Sequence, residues 1–275
     1  MADADTGGNK DASGRTGQQK LVSVIIPVYN SRDFIIETLE SVTAQTYRRI
    51  EVIVVDDGSS DDTGRVVLDY VNRLNGSTGS YDNITIKLLD NKKKKGAAGA
   101  RNTGIDEAGG DYITFIDADD KWLPDKIEKQ LIFMKDRGAA FSFTSYEFAD
   151  ENCVGMGKTA RVPLSIDYRQ ALKNTTIFTS TVMFDMGKLS KEDIYFPYIA
   201  SEDSANWWKI LKKTGTASGL DEALTLYRRS GKTLSSNKLV GIKRIWGLYM
   251  NEGLSIPYSL YCFICFAINA VKRRI

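Results

Sequence analysis

Two groups of carboxylates close two short apolar runs: Asp56-Asp57 after Ile50–Val55, and Asp117, Asp119 and Asp120 after Tyr112–Ile116. Carboxylates crowded in this way repel one another unless a cation joins them. Hard divalent cations take oxygen ligands, and magnesium or manganese usually accepts phosphate oxygens from a substrate as well. The pattern therefore points to a phosphorylated ligand bridged by a metal. Turn and helix-cap chemistry is the alternative source of the same residues. Asp120, just ahead of Trp122-Leu-Pro-Asp125, could be a helix cap alone.

What surrounds these acids excludes other chemistries. The 275 residues include no His and three Cys, at 153, 262 and 265. Ser-His-Asp triads, Cys-His pairs and His-rich metal sites are therefore absent, and a four-ligand structural zinc lacks ligands. A net charge of +2 lacks the basic footprint of a nucleic-acid binder. Gly157-Lys-Thr159 and Gly231-Lys-Thr233 look like the end of a P-loop, but Asn152 and Leu226 stand where its first Gly is required. Pro27-Val-Tyr-Asn30 occupies the place of a dinucleotide-binding glycine turn. The chemistry must run on carboxylates, hydroxyls, Lys or Arg.

The elements that position the acids follow from hydrophobic periodicity. Leu21–Val28 reads as a strand buried on both faces, Ile50–Val55 as a second buried strand, and Ile84–Leu89 and Tyr112–Ile116 as a third and a fourth strand. Between them Arg32–Gln45, Asp61–Leu74 (acidic in its first turn) and Ala97–Glu107 read as helices. This alternation predicts an α/β domain with a mostly parallel sheet, in which ligands bind outside the carboxyl ends of the strands. Beyond Leu131 the alternation weakens. Phe141–Phe148, Ser180–Phe184 and Ala223–Tyr227 are predicted strands, and Ser204–Lys213 a helix. Residues 1–20 are too polar to bury a core and read as a disordered tail. They lack the apolar stretch of a secretory signal, so a cytoplasmic chain with reduced thiols is expected.

Four segments carry a resemblance: Val22-Ser-Val-Ile-Ile-Pro-Val-Tyr-Asn30, Val54-Val-Asp-Asp-Gly-Ser-Ser-Asp-Asp-Thr63, Gly99-Ala-Arg-Asn-Thr-Gly104, and Gly110-Asp-Tyr-Ile-Thr-Phe-Ile-Asp-Ala-Asp-Asp120. In this order and spacing they resemble the nucleotide-binding half of family 2 glycosyltransferases, of the bacterial surface-polysaccharide type. The resemblance implies a GT-A type catalytic domain over 21–235, with a nucleotide-binding half to about 135 and an acceptor half from about 136. It implies that Pro27, Val28 and Tyr29 line the base and ribose pocket, and that Asp57 accepts a hydrogen bond from uracil, with Asp56 beside it. Arg101 is expected near the diphosphate, a surface helix charge being its alternative. Asp117-Ala-Asp119 resembles the family's DxD motif. Asp119 would ligate Mn²⁺ or Mg²⁺ directly, with Asp117 beside it, nearer the ribose.

Without His, the proton of an attacking sugar hydroxyl must pass to a carboxylate. Ser201-Glu-Asp-Ser204 resembles the acid pair that supplies this base, with Asp203 at the base position and Glu202 in reserve. The same four residues also suit a helix N-cap. Trp207 and Trp208 could stack on a sugar, although adjacent helix positions make at least one of them core. Tyr227-Arg-Arg-Ser-Gly-Lys-Thr-Leu-Ser-Ser236 resembles the family's flexible segment over the diphosphate, with Arg228 or Arg229 as its cation. The run Lys92–Lys95 reads most simply as a solvated loop.

Residues 236–275 change character. Lys238, Lys243, Arg244, Lys272, Arg273 and Arg274 face one acid, Glu252, and flank the apolar stretch Ile256–Val271. Sixteen residues are short for a bilayer span, which needs about twenty. An apolar helix with basic ends suits contact with an anionic membrane surface, and packing on the catalytic domain accounts for it equally. The reading is an inverting, metal-dependent glycosyltransferase that moves a sugar from a UDP-sugar to a lipid-linked glycan, at the inner face of the plasma membrane. A sugar nucleotidyltransferase and a non-catalytic nucleotide-sugar binder are its alternatives.

Overall fold

A computed structural model describes residues 19–75, 83–174, 176–229 and 238–272. The tail predicted for 1–20 falls almost wholly outside the described residues, as does most of the basic segment 227–236.

The first half is the predicted α/β unit. β1 (Val22–Val28), β2 (Ile50–Asp56), β3 (Ile84–Asp90) and β4 (Tyr112–Phe115) pair in parallel in the order β3-β2-β1-β4. They alternate with α1 (Ile35–Thr43), α2 (Thr63–Asn75) and α3 (Ala97–Glu107). Register aligns Val28, Asp56 and Asp90 across three strands, so their carboxyl ends form one edge. β1 and β2 are continuous apolar runs because both faces are covered: Ile25 and Ile53 pack on one side, Val24 and Val52 on the other. α3 lies so close to β1 that a Cβ at Gly104 would stand 2.4 Å from Ile25 Cγ2. Glycine there permits the approach.

The sheet continues into the second half without a break. β5 (Lys121–Trp122), α4 (Lys126–Arg137), β6 (Phe141–Ala149), β7 (Gly155–Ala160), β8 (Ser165–Asp167) and α5 (Tyr168–Ala171) lead to a 3-10 turn at Thr179–Thr181. β9 (Met183–Asp185), α6 (Lys191–Ile194), α7 (Glu202–Thr214) and β10 (Thr216–Arg228) complete the domain. β9 lies antiparallel between β4 and β6, which joins the two halves into one sheet. Under it Phe115, Phe141, Phe184, Phe196 and Trp207 form a ring cluster, with Phe141 and Phe184 centroids 4.8 Å apart. Truncating one such aromatic costs about 3–5 kcal/mol.

Three local expectations are corrected. The helix after Asp120 starts at Lys126, because Trp122 joins β5 against Thr225 of β10 and Pro124 follows it. The acids before α2 lie ahead of its first turn, where Asp61 accepts bonds from Thr63 N and Oγ1. β10 spans thirteen residues rather than five, since register shifts around Asp221-Glu222 interrupt its alternation while the pairing with β6 goes on.

α8 (Lys238–Asn251) and α9 (Ile256–Lys272) pack on this domain. Tyr249 stacks on Trp208 with the rings nearly coplanar and donates through its hydroxyl to Leu172 O at 2.7 Å. Glu252 accepts from Tyr168 Oη at 2.7 Å and pairs with Lys212, and Asn269 donates to Lys173 O. The buried Cys262 is a free thiol, as are Cys153 and Cys265. The other side of α9 exposes Ile256, Leu260, Ile264 and Ile268, one residue per turn. Among the described residues no helix is long and apolar enough to cross a membrane.

Candidate active site

The edge built by β1, β2 and β3 holds a pocket of about 320 Å³ lined by Asp56, Asp57, Gly58, Asp90, Asn91, Lys93 and Lys95. Asp57 is fixed in it by Asn91 Nδ2 at 2.5 Å and by the N–H of Gly96 at 2.8 Å. Asn91 follows β3 and is placed there by its own N–H on Asp56 O. The Lys92–Lys95 loop that carries these contacts is seated on α3, where a Cβ at Gly99 would lie 1.7 Å from Lys94 O. Asp56 turns to the following turn instead, accepting from Ser59 N and Oγ. Tyr29 is half exposed beside the pocket with Lys95 Nζ 5.0 Å from its ring centre. Val28 is buried in the apolar cluster, so its side chain lines the core and not the pocket. Pro27, the residue before Val28 in β1, is partly buried.

The second acidic group lies beyond β4. Asp117 N–H donates to Ser180 Oγ at 3.0 Å, and Ser180 Oγ donates to Asp120 Oδ2 at 2.5 Å. Asp120 is fully buried, accepts also from Arg228 N–H, and is held well above the usual carboxylate range by burial and by Asp117 and Asp119. It is an internal strut rather than a helix cap. Burial, then the charge of Asp117, pushes Asp119 up to about 6. Asp119 forms no ion pair among the described residues, and its carboxylate with that of Asp117 beside it fits a divalent cation. Phosphate oxygens and water would complete the shell of a cation held by Asp119 and Asp117.

The acid pair of α7 reaches the same place from the other half. Arg101, on α3, donates through Nη2 to Asp117 Oδ1 at 2.8 Å and through Nη1 to Glu202 Oε1 at 3.2 Å. Burial works against its charge, but Asp117 and Glu202 outweigh burial and hold the guanidinium above its ordinary pKa. Arg101 is therefore a buried, doubly paired guanidinium and not a surface charge. Asp203, next to Glu202, accepts from Ser204 N–H and has its carboxyl raised by burial and by Glu202. Ser201 sits at the helix start with φ 57° and makes no side-chain cap bond, so capping does not account for this segment.

Several expectations move away from the site. Trp207 and Trp208 are both core. Arg228 is buried at the end of β10, where it donates to Asp119 O at 2.7 Å, Glu151 O and Glu37 Oε2 at 2.6 Å, above the Phe34 ring. It anchors the Asp119 backbone and is not a mobile arm. Arg229 is exposed with its guanidinium over Phe148. The lysine loop is less free than a solvated run: Lys93 pairs with Asp106, and Lys94 lies over Tyr198. Ser180, Asn91 and Glu37, which organise the acids, carry no motif signal in the sequence.

Comparison with known proteins gives this geometry its family. The Glycosyl transferase family 2 model matches residues 23–195. TuaG of Bacillus subtilis, a glycosyltransferase named for teichuronic acid biosynthesis, is 40% identical over 94% of this chain and 100% of its own. WfaP of Escherichia coli, named as a UDP-Glc:alpha-D-GlcNAc-diphosphoundecaprenol beta-1,3-glucosyltransferase, is 36% identical over 93% of this chain and 96% of its own. The Pyrobaculum calidifontis mannosyltransferase solved with GDP-Man and Mn²⁺ shares the fold, at a TM-score of 0.65 and 20% identity over 94% of this chain and 72% of that one. The parallel sheet with acids along its carboxyl edge is thus a GT-A fold, and a nucleotidyltransferase no longer competes. The chain belongs to glycosyl transferase family 2.

Proposed function

We propose that this glycosyltransferase moves a sugar from a UDP-sugar, with inversion, to a hydroxyl of a lipid-linked glycan during surface polysaccharide synthesis, working at the inner face of the membrane. One observation carries the reading: Asp117 of the donor half and Glu202 of the acceptor half meet across a single guanidinium, at 2.8 and 3.2 Å. Residues about one hundred positions apart thereby share one polar centre beside the nucleotide pocket.

Asp57, held by Asn91 and Gly96, would receive the uracil N–H, and Tyr29 would flank the base. A divalent cation, Mn²⁺ or Mg²⁺, on Asp119 with Asp117 beside it would neutralise the departing diphosphate, a contribution of several kcal/mol. Asp203 would take the proton of the acceptor hydroxyl as it attacks the anomeric carbon from the opposite face. Glu202 is committed to Arg101, whereas Asp203 pairs with no cation among the described residues and is raised toward the range useful for a base. The names of WfaP and of the mannosyltransferase, with UDP-Glc, a diphosphoundecaprenol-linked acceptor and Mn²⁺, support donor, acceptor and metal.

Titration calorimetry with UDP, with and without Mn²⁺ and with GDP as control, tests the donor site. The expected result is binding that needs the metal and prefers UDP. Absence of nucleotide binding in every condition would refute it.

A further inference from the structure

Beside the acid pair lies a cleft that the donor chemistry does not use. Ala200, Lys243, Arg244, Gly247, Leu248 and Asn251 line a cavity of about 250 Å³ between α8 and the chain leading into α7. Lys243 and Arg244 are exposed there and pair with no carboxylate among the described residues. Glu252, the acid of this segment, is turned away to Lys212 and Tyr168. Gly247 leaves open space where a side chain would stand. Ala200 precedes Asp203 by three residues, a chain reach of at most about 11 Å. On α9 the exposed row Ile256, Leu260, Ile264 and Ile268 continues the same C-terminal segment as an apolar surface.

We infer that this cleft seats the diphosphate of the lipid-linked acceptor, with Lys243 and Arg244 as its cations and the α9 row against its prenyl chain. The inference rests on the proposed lipid-linked acceptor. Its chemistry is specific. Two exposed cations in one cleft, one of them a guanidinium suited to phosphate oxygens, suit an anion of more than one charge. The apolar row of the following helix suits a long hydrocarbon attached to that anion. The acceptor sugar, joined directly to the diphosphate, then lies between the cleft and Asp203.

The test is calorimetry on the full chain with farnesyl diphosphate, using farnesol, inorganic pyrophosphate and phosphatidylglycerol vesicles as comparators. Farnesyl diphosphate is expected to bind more tightly than farnesol or pyrophosphate. A Lys243→Gln/Arg244→Gln variant should lose at least about tenfold, the loss of two charge-assisted contacts. Gly247→Met, which keeps both charges and improves helix propensity, should lose a similar factor by filling the cleft. Unchanged affinity in either variant overturns the inference. So does an equal loss toward phosphatidylglycerol vesicles, which would make the surface a general anion patch. UDP titration of the same samples keeps the two readings apart: failure of UDP to bind wild type counts against the donor site, while farnesyl diphosphate still decides the cleft.

Discussion

Removing the guanidinium between the two halves, as Arg101→Met, leaves Asp117 and Glu202 facing each other without their cation. Arg101 has a side chain only 7% exposed, so its charge is desolvated. Breaking a buried ion pair by deleting one partner costs about 3–5 kcal/mol. Asp117 and Glu202 are 29% and 26% exposed, and solvent relieves part of that cost. A loss of about 2–4 kcal/mol remains. At roughly 2–4 °C per kcal/mol for a chain of this size, Tm should fall by roughly 4–16 °C. The pH dependence has a definite sign. Asp203, whose carboxyl is raised by burial and by Glu202 and which Arg101 helps to hold down, rises further without Arg101, so protonation favours the folded variant. The deficit is therefore largest near pH 8 and shrinks toward pH 5. Arg101→Lys should recover only part of the loss, because an ammonium cannot serve two carboxylates through a planar fork. Thermal melts of the three proteins across this range are the assay. A Tm for Arg101→Met within about 2 °C of wild type at pH 8, or a deficit that ignores pH, would refute the reasoning.

Asp119→Asn should abolish metal-dependent UDP affinity and yet stabilise the metal-free chain above pH 6. The raised carboxyl costs stability as pH climbs from its unfolded value through about 6, and Asn removes that cost, about 1–2 kcal/mol; calorimetry and urea melts in chelator read both effects. Asp203→Asn should keep donor binding and lower turnover by roughly 10²–10⁴, with the wild-type rate rising with pH as Asp203 ionises; near-normal turnover would move the base elsewhere. Lys126 is fully buried, with Nζ donating to Thr114 Oγ1 and 3.8 Å from the Trp122 ring centre, and burial holds its pKa well below the usual value. Such a group makes wild-type stability rise with pH. Lys126→Met should therefore stabilise by about 1–2 kcal/mol at pH 7 and by less near pH 10, as urea melts at both values would register.

The carboxyl edge of the sheet was legible because β2 and β4 are short apolar runs with acids directly after them, and short apolar runs alternating with helical patterns read as strands of a parallel sheet. Asp57 and Asp119 were found by this route. Asn91 and Ser180 were not, since they act through hydrogen bonds to acids far along the chain, 34 positions from Asn91 to Asp57 and 60 and 63 from Ser180 to Asp120 and Asp117. Arg228 misled for a related reason. An Arg beside a polar segment reads as exposed, and only the ring of acceptors formed by Asp119 O, Glu151 O and Glu37 makes a buried guanidinium tolerable.

The sequence by itself determined the parallel unit, the acids along its carboxyl edge and the absence of histidine chemistry, because periodicity and residue type are local properties. Tertiary structure alone decided which charges face one another. It closed Arg101 between Asp117 and Glu202, turned Trp207 and Trp208 inward, and laid one face of α9 on the domain while leaving its apolar row outside. Charge pairing and burial depend on elements separated by as many as 191 residues, and no spacing along the chain encodes a distance across the fold.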